Sequence, residues 1–361
     1  MKKKIFLNGR FLTQPITGVQ RTAHELIKAL DKLIEECVID KSSFEFILIA
    51  PKGELMSLQL NHIRLVQKGF LKGNLWEQFE LPIYTLNYLL ISMGYVSCLI
   101  KRKQIIIMHD AGTFSHPHFF KSTFRAWYKF AISILTKVSL HIITVSEFSK
   151  KELIKHTKIK ENKVTVIYNA PDHIKHYTEP DDEFKDKIKQ MQPYFLGVSS
   201  LHPHKNFEVL SKASVSADLA EYKIAIAGGA NSRSFQTVVL DKSVVMLGYV
   251  SNQQLKYLYS HASLFIFPSL FEGFGIPPLE AMILGCPVLS SNATALPEIL
   301  GDACEYFDPL NVDDLVSKME GLVKNKTRLD ELQQNGYERA ALYNWKKSAA
   351  CLLELIKKFG A

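Results

Sequence analysis

The amino-acid sequence predicts the α/β fold class, with two doubly wound domains that face a central cleft. Short β-rich runs alternate with amphipathic stretches along the chain, which is the pattern of parallel sheets covered by helices. The chain of 361 residues is too long to fold around one ordinary hydrophobic core. Its length fits two domains of roughly 150 to 180 residues each. A polar stretch from Asp172 to Gln192 interrupts the alternation, which begins again at Tyr194. We therefore place the domain boundary at the start of this stretch.

The first predicted domain comprises residues 1–171. Its predicted strands are Lys4 to Leu7, Phe46 to Ala50, Ile63 to Val66, Leu89 to Ser92, Gln104 to Met108, His141 to Val145 and Val164 to Ile167. Its predicted helices include Val19 to Leu33, Phe119 to Lys137 and Glu147 to His156. The uncharged segment from Ile83 to Ile100 precedes three basic residues, which is the outline of a membrane span. Its tyrosines, serines and glycine instead favour a buried helix end followed by a strand.

The second predicted domain comprises residues 172–344. Its predicted strands are Tyr194 to Val198, Lys223 to Ala227, Val244 to Leu247, Leu264 to Phe267 and Val288 to Ser291. Residues 345–361 contain an amphipathic helix from Trp345 to Phe359. Ligands bind open α/β sheets at the loops that follow the strands, so we expect the functional residues there.

Composition predicts a folded protein of a reducing compartment. Apolar residues make up 47% and charged residues 22% of the chain, so disorder is excluded. The five cysteines are odd in number and far apart, and they indicate neither a disulfide framework nor a zinc site. The apolar run near the first residue is too short for a signal peptide, and we expect a cytoplasmic protein.

The formal net charge of +8 favours anionic partners. The lysines are spread along the chain rather than clustered between aromatic residues, so nucleic acid is not the favoured partner. Phosphate-bearing small molecules and an anionic membrane surface both account for the charge. The run from Phe119 to Lys137 combines aromatic and basic side chains that suit a bilayer surface, although a helix packed on its own sheet is the alternative.

The run from Phe267 to Met282 predicts a phosphate-binding loop. A strand ends, a loop containing Gly273, Phe274 and Gly275 follows, and a helix begins near Ile276 with prolines in its first turn. The unpaired amides and positive dipole end of such a helix attract a diphosphate. Glu272 and Glu280 flank this loop and are placed to face one ligand. Alternatively, Glu272 caps the helix and Glu280 is a solvated helix residue.

These glutamates resemble the Glu-x7-Glu motif of retaining glycosyltransferases of family 4, the bacterial group 1 glycosyltransferases of surface-polysaccharide synthesis. The resemblance spans residues 194–320, and further matching runs begin at Leu247, Leu255, Gly285 and Asn292. It implies the GT-B architecture, two Rossmann-like domains with donor bound by the second and acceptor by the first, and a last helix that crosses back to the first domain. By the same resemblance, Glu280 binds the donor ribose, Glu272 binds the transferred sugar, and the backbone at Val250 binds the base.

A second matching run extends from Ser199 to Phe207. Lys205 resembles the family lysine that neutralises the donor diphosphate. This lysine stabilises the negative charge that grows on the leaving group. Ser200 and His204 stand where the family often has arginines, so phosphate neutralisation would depend on Lys205. A metal site built on His202 and His204 lacks a third ligand. An ordinary surface lysine is the alternative for Lys205.

The first domain carries two weaker signals. Gly18, at the start of an amphipathic helix, resembles the family's glycine loop near the donor phosphates, with Arg21 beside it; an ordinary helix start is the alternative. His109, with Asp110, follows a predicted strand and resembles the family histidine that contacts the transferred sugar; a core histidine is the alternative. No Asp-x-Asp occurs in the sequence, and we expect no metal and no cofactor.

The resemblance implies a metal-independent hexosyltransferase. It would move a mannose- or rhamnose-like unit from a nucleotide diphosphate sugar to a glycan or lipid-linked oligosaccharide of O-antigen or capsule type, working at the inner face of the plasma membrane. Two alternatives remain. A nucleotide-sugar epimerase of the same fold would need no acceptor, and a catalytically idle scaffold of a polysaccharide assembly complex would need no turnover.

Overall fold

The computed structural model describes residues 2–39, 43–200, 202–214, 216, 219–228 and 244–360. The chain divides into two compact units. The first comprises Met1–Asn169 together with Trp345–Ala361, and the second comprises Ala170–Asn344.

The described strands of the first unit form one parallel sheet. Its strands are β1 (Lys3–Asn8), β2 (Phe44–Ala50), β3 (Arg64–Gln67), β4 (Leu89–Ser92), β5 (Gln104–Ile107), β6 (His141–Thr144) and β7 (Val164–Val166). Their order across the sheet is β3-β2-β1-β4-β5-β6-β7, and every described pairing is parallel. All residues of β4, β5 and β6 are buried, as expected for strands covered on both faces.

Helices connect these strands. They are α1 (Gly18–Glu35), α2 (Gly73–Leu75), α3 (Leu81–Tyr84), α4 (Gly112–Ser115), α5 (Ser122–Val138) and α6 (Glu147–Thr157). A π-helical turn, Trp76–Glu80, joins α2 to α3 without a break. Thr17 and Gln20 form a capping box that fixes the start of α1.

The second unit contains a second parallel sheet. Its described strands are β8 (Tyr194–Val198), β9 (Lys223–Ala227), β10 (Val244–Gly248), β11 (Leu264–Phe267), β12 (Val288–Ser291) and β13 (Glu305–Phe307). Their order is β10-β9-β8-β11-β12-β13. The core beside this sheet is built from large apolar side chains such as Phe195, Phe207 and Phe307.

The described helices of the second unit lie between and after these strands. They are α7 (Asp182–Met191), α8 (Glu208–Ala213), α9 (Asn252–His261), α10 (Ile276–Ile283), α11 (Leu296–Leu300), α12 (Val312–Val323) and α13 (Lys326–Ala341). The last helix, α14 (Trp345–Phe359), belongs to the first unit and packs against α1.

The predicted fold class is confirmed, and each predicted strand has a counterpart among the described strands. Strand β13 was not predicted because its three residues leave too short an apolar run. The predicted helix from Phe119 to Lys137 starts too early: Lys121 has extended backbone, and α5 begins at Ser122 after a separate 3-10 turn, Pro117–Phe119.

The segment from Ile83 to Ile100 contains the end of α3 and strand β4, as predicted. Among the residues that the structure describes, no helix combines the length and the apolar character needed to cross a bilayer.

Candidate donor-binding site

The second sheet reverses its strand order between β8 and β11. From β8 the chain proceeds outward to β9 and β10, and it then returns to β11 on the other side. The loops that follow β8 and β11 therefore separate at their shared carboxyl edge. Such a switch point is where open α/β sheets bind ligands.

Lys205 and Glu272 come from these two loops and meet at this edge. Lys205 ends a 3-10 turn, Pro203–Lys205, and the amide of Leu270 donates to the carbonyl of His204 at 2.7 Å, which ties the two loops together. The Nζ of Lys205 donates to Oε1 of Glu272 at 2.6 Å. Their side chains are 16% and 13% exposed, so the pair remains accessible from solvent.

Thr294 holds the backbone of Glu272. Its Oγ1 accepts from the Glu272 amide at 2.9 Å and lies 3.0 Å from the Glu272 carbonyl, to which it donates. Thr294 has a φ of 54°, which is unusual for a β-branched residue. A strained conformation of this kind persists where surrounding contacts hold it. The two hydrogen bonds of Thr294 in turn hold the backbone of Glu272 in position.

The predicted glycine loop leads into α10. Gly275 has a φ of 93° and stands at the cap of this helix, and a Cβ there would approach Cδ2 of Leu296 to 2.7 Å. Both its conformation and its packing therefore require glycine. Gly273 is half-buried, whereas Phe274 and Ile276 are buried.

Glu280 lies on α10 and is buried, so it is not the solvated helix residue of the alternative interpretation. Its Oε2 accepts from the hydroxyl of Tyr259 at 3.0 Å, and its Oε1 lies 3.0 Å from Nε2 of His173. Burial and the neighbouring carboxylate raise the pKa of Tyr259 well above its ordinary value, so the hydroxyl stays protonated and donates. Sequence reasoning assigned no role to either partner.

The predicted base-binding edge lies beside β9 and β10. The amide of Gly228 donates to the carbonyl of Gly248 at 2.8 Å, and a Cβ on Gly228 would come within 1.8 Å of the Ser199 carbonyl oxygen. Ser200 follows β8 and Val250 follows β10, and both are half-buried. The backbone at this edge is therefore closely packed around Gly228.

His109 follows β5 in the first unit and is buried. Its Nε2 lies 3.5 Å from the carbonyl of Met93, and its ring lies 5.3 Å from that of Tyr95. Burial lowers the pKa of the imidazole to about 4, so the ring is neutral at pH 7. A neutral ring suits contact with a sugar hydroxyl better than the role of a charged acid.

Gly18 is the first residue of α1, and a Cβ added there would meet no atom within 4 Å. Arg21 lies one turn later, with its Nη1 3.6 Å from Oε1 of Glu25. The first unit thus holds Gly18 and His109, and the second unit brings Lys205 and Glu272 together and places Glu280 in a separate hydrogen-bonded group.

Within the described ranges, no group of three or more His, Cys, Asp and Glu side chains is arranged to bind a metal. The rings of His202 and His204 stack with centroids 5.6 Å apart. The lowered pKa of His202 follows from burial and from the charge of Lys205.

Two family models match this chain, and the residues that they match correspond closely to its two units. The profile of Glycosyltransferase Family 4 matches residues 16–173, and that of Glycosyl transferases group 1 matches residues 178–339. The structure of HepE from Anabaena, in complex with UDP-glucose, superimposes with a TM-score of 0.73 at 16% identity, over 99% of this chain and 100% of that chain. The fold is therefore GT-B.

Two curated relatives give the family. The chain is 31% identical over 263 residues to the O-antigen chain mannosyltransferase RfbU of Salmonella typhimurium, which is 71% of this chain and 70% of that protein. It is 30% identical over 228 residues to the serotype-specific mannosyltransferase WbdA of Escherichia coli, which is 59% of this chain but only 28% of WbdA. The family models and these relatives define a class of two-domain sugar transferases. The chain belongs to glycosyltransferase family 4.

The buried histidines predict that acid destabilises the first unit. Burial lowers the pKa of His109, His24 and His141 to about 4. The unfolded chain therefore binds protons more readily than the folded chain as the pH falls below 6.5. The stability that the neutral histidines contribute is complete above pH 6.5 and is lost as the pH falls toward 4. Replacing His109 with Gln should reduce the loss in free energy of unfolding between pH 7 and pH 4 by about 2 to 3 kcal/mol.

Urea unfolding followed by tryptophan fluorescence measures this effect, because all three tryptophans lie in the first unit: Trp76, Trp127 and Trp345. The control is His62→Gln, at an exposed position of the same unit. An equal pH dependence in His109→Gln and wild type would contradict the assignment of a depressed pKa to His109.

Proposed function

We propose that this protein is a retaining glycosyltransferase that transfers a hexosyl unit from a nucleotide diphosphate sugar to a growing surface polysaccharide. The observation that supports the proposal most directly is the pairing of Lys205 with Glu272 at the switch point of the second sheet. A cation there neutralises the diphosphate as it leaves, and the carboxylate beside it binds the sugar that is transferred.

Glu280 binds the ribose of the donor in this proposal. A carboxylate has about four lone-pair sites, and Tyr259 and His173 occupy one on each oxygen. In the complex with donor, the carboxylate accepts hydrogen bonds from two vicinal hydroxyls of the ribose. The two neighbours also fix the rotamer of Glu280, so little side-chain entropy is lost when the donor binds.

The relatives support a proposal for the substrates. RfbU and WbdA are described as mannosyltransferases, RfbU of the O-antigen chain, and HepE was solved with UDP-glucose. We infer a mannose- or rhamnose-like hexose as the transferred unit and a glycan of O-antigen or capsule type, carried on a lipid, as the acceptor. His109 contacts the transferred sugar, and Gly18 admits the donor phosphates close to the backbone.

The site residues predict three separable defects. Replacing Glu280 with Gln should weaken nucleotide diphosphate binding by roughly 1 to 3 kcal/mol, since a charge-assisted hydrogen bond is lost.

Lys205→Ala should lower turnover on the order of 100-fold. Glu272→Ala should lower turnover while the free nucleotide still binds. Thermal shifts with a panel of nucleoside diphosphates measure binding, and product formation from radiolabelled nucleotide sugars measures turnover.

The matched control is Glu208→Gln, which removes an exposed glutamate of the same unit that pairs with Lys212 at the surface. Transfer that persists unchanged in Lys205→Ala would remove that residue from the mechanism. Nucleotide binding without any transfer would support the idle scaffold. Epimerisation of a nucleotide sugar in the absence of an acceptor would support the epimerase.

Metal independence gives a further prediction. The proposal assigns charge neutralisation to Lys205 and to backbone amides at the start of α10. Transfer should therefore proceed at the same rate with excess EDTA as without it. Loss of activity that manganese or magnesium restores would show that a divalent cation takes part.

We also propose that the protein works at an anionic membrane surface, attached through its first unit. Six exposed apolar side chains of that unit form what we call the apolar ridge. They are 57% to 85% exposed: Phe70, Leu75, Phe79, Ile83, Leu86 and Ile100. Four of them recur at spacings of three or four residues along the continuous helical segment Gly73–Tyr84 and just after it.

Contacts join the part of the ridge at Phe70 to the helical segment. The amides of Phe70 and Leu71 donate to the carboxylate of Glu80 at 3.0 and 3.1 Å, which ties the preceding loop to the helical segment. Lys52 lies over the ring of Phe70 at 4.8 Å, and Lys68 lies over the ring of Tyr84 at 5.5 Å. Basic side chains beside a large apolar patch favour anionic headgroups.

Vesicle sedimentation should detect this attachment. The protein should bind vesicles containing anionic lipid more strongly at low than at high salt, since basic residues contribute about 1 kcal/mol each near such a surface. Phe79→Ser combined with Ile83→Ser should weaken binding on the order of 10-fold or more, because two large side chains no longer enter the interface.

The control is Phe124→Ser combined with Phe130→Ser, which removes two exposed aromatics from α5. Loss of binding in this pair alone would place the attachment on the run from Phe119 to Lys137. Failure of wild-type protein to bind at either salt concentration would favour a soluble acceptor.

A further inference from the structure

The chain turns sharply directly after Lys205. Among the residues that the structure describes, four that are not glycine have a positive φ: Cys37, Lys158, Asn206 and Thr294. Cys37 and Lys158 follow the last turns of α1 and α6, where a left-handed residue is common. Asn206 instead ends a 3-10 turn of three residues, with φ and ψ of 58° and 31°. Asparagine suits this position because it tolerates the left-handed conformation better than most residues that carry a Cβ.

The side chain of Asn206 ties this turn to the loop after β13. Its Nδ2 donates to the carbonyl of Pro309 at 2.8 Å, across 103 residues of sequence. A carbonyl only accepts, so the carboxamide presents its NH2 group there. The turn that carries Pro309 is itself fixed, since the amides of Leu310 and Asn311 donate to Asp308 at 2.9 and 3.0 Å. The partner of Asn206 is therefore a hydrogen-bonded turn with a defined position.

Lys205 lies between two attachments of its loop. On one side, the carbonyl of His204 accepts from the loop after β11, and on the other, Asn206 donates to the loop after β13. The next residue, Phe207, is buried against β8, where a Cβ on Gly197 would come within 2.8 Å of its ring. In the strand order β8-β11-β12-β13, these contacts extend along the carboxyl edge of the second sheet. The backbone of Lys205 is therefore held from both sides.

The ion pair with Glu272 does not hold Lys205 throughout the proposed reaction. In the structure, Nζ of Lys205 donates to Oε1 of Glu272 at 2.6 Å. In the proposed function, Lys205 turns to the diphosphate and Glu272 turns to the sugar, so this contact is exchanged. Lysine carries its charge on a flexible four-carbon stem, and the position of that charge then depends on the backbone. Stabilisation of a leaving group requires a charge that is already in place.

We propose that Asn206 is a positioning residue for Lys205, and that its hydrogen bond to Pro309 holds the loop while Lys205 exchanges Glu272 for the donor diphosphate. The inference rests on the proposed transferase function, since that function assigns the leaving charge to Lys205. The carboxamide of Asn206 is engaged with Pro309. Asn206 therefore acts on transfer only through Lys205.

A double-mutant cycle with Lys205 tests this proposal. Asn206→Gly removes the carboxamide but keeps the left-handed turn, because glycine adopts it without strain. Turnover of a radiolabelled nucleotide sugar should fall about 10-fold or more in Asn206→Gly, since a small misplacement of a catalytic group costs this much. In the Lys205→Ala background, the same change should alter turnover less than about 2-fold, because no ammonium group is left to misplace. A general loss of folded structure would lower turnover by the same factor in both backgrounds.

Asn325→Gly is the matched control. It also removes a side-chain hydrogen bond of a loop asparagine in the second unit, since Oδ1 of Asn325 accepts from the amide of Arg328 at 3.0 Å. This change should leave turnover as it is with and without Lys205.

A binding measurement separates this proposal from the transferase function. Calorimetry with a nucleoside diphosphate and with its parent nucleoside should show that Asn206→Gly weakens only the diphosphate, about 3-fold or more, and only when Lys205 is present. This pattern in a protein that transfers no sugar would reject the transferase and retain the positioning role. Unchanged turnover and diphosphate affinity in Asn206→Gly, or losses of equal size with and without Lys205, would overturn the proposal.

Discussion

The parallel pairing of strands at the point where each sheet reverses its order is the constraint on which the rest of the structure depends. In the second unit it brings Lys205, after β8, to Glu272, after β11. In the first unit Arg10, after β1, meets Glu77 of the π-helical turn that precedes β4; each pair is separated by 67 residues in sequence. The two ion pairs differ in exposure. Glu77 is 3% exposed, and Glu272 is 13% exposed. A buried pair holds a shape, whereas an accessible pair can exchange partners with a ligand.

The fold was predictable because buried parallel strands are short, nearly uninterrupted apolar runs that sequence displays directly. Strands such as Leu89–Ser92 and Gln104–Ile107 are of this kind. Strand Glu305–Phe307 was missed because pairing with β12, rather than its own composition, makes it a strand. The start of α5 at Ser122 was missed for a related reason: the extended conformation of Lys121 leaves no signal in the apolar periodicity.

The site was predictable only in part. The strand-loop-helix pattern predicted the glycine loop with Glu272 and Glu280 on either side of it, and the family resemblance predicted Lys205. Neither predicted Thr294 or His173, because their roles come from hydrogen bonds to residues distant in sequence. The pattern also left open a solvated Glu280, because helix periodicity shows a polar residue without showing the tyrosine and histidine that pair with it in the interior.

One helical segment carries both a buried ion pair and exposed apolar side chains of the first unit. Gly73–Tyr84 carries Glu77 on its buried side, where it pairs with Arg10, and Phe79 and Ile83 on its exposed side. The π-helical turn Trp76–Glu80 adds a residue to one turn of this segment, and such turns occur often at functional sites. The exposed face that would enter a bilayer interface in the proposed function and the buried face that pairs with Arg10 therefore share one element. Because Arg10 follows β1, this ion pair ties the exposed apolar side chains to the central strand of the first sheet.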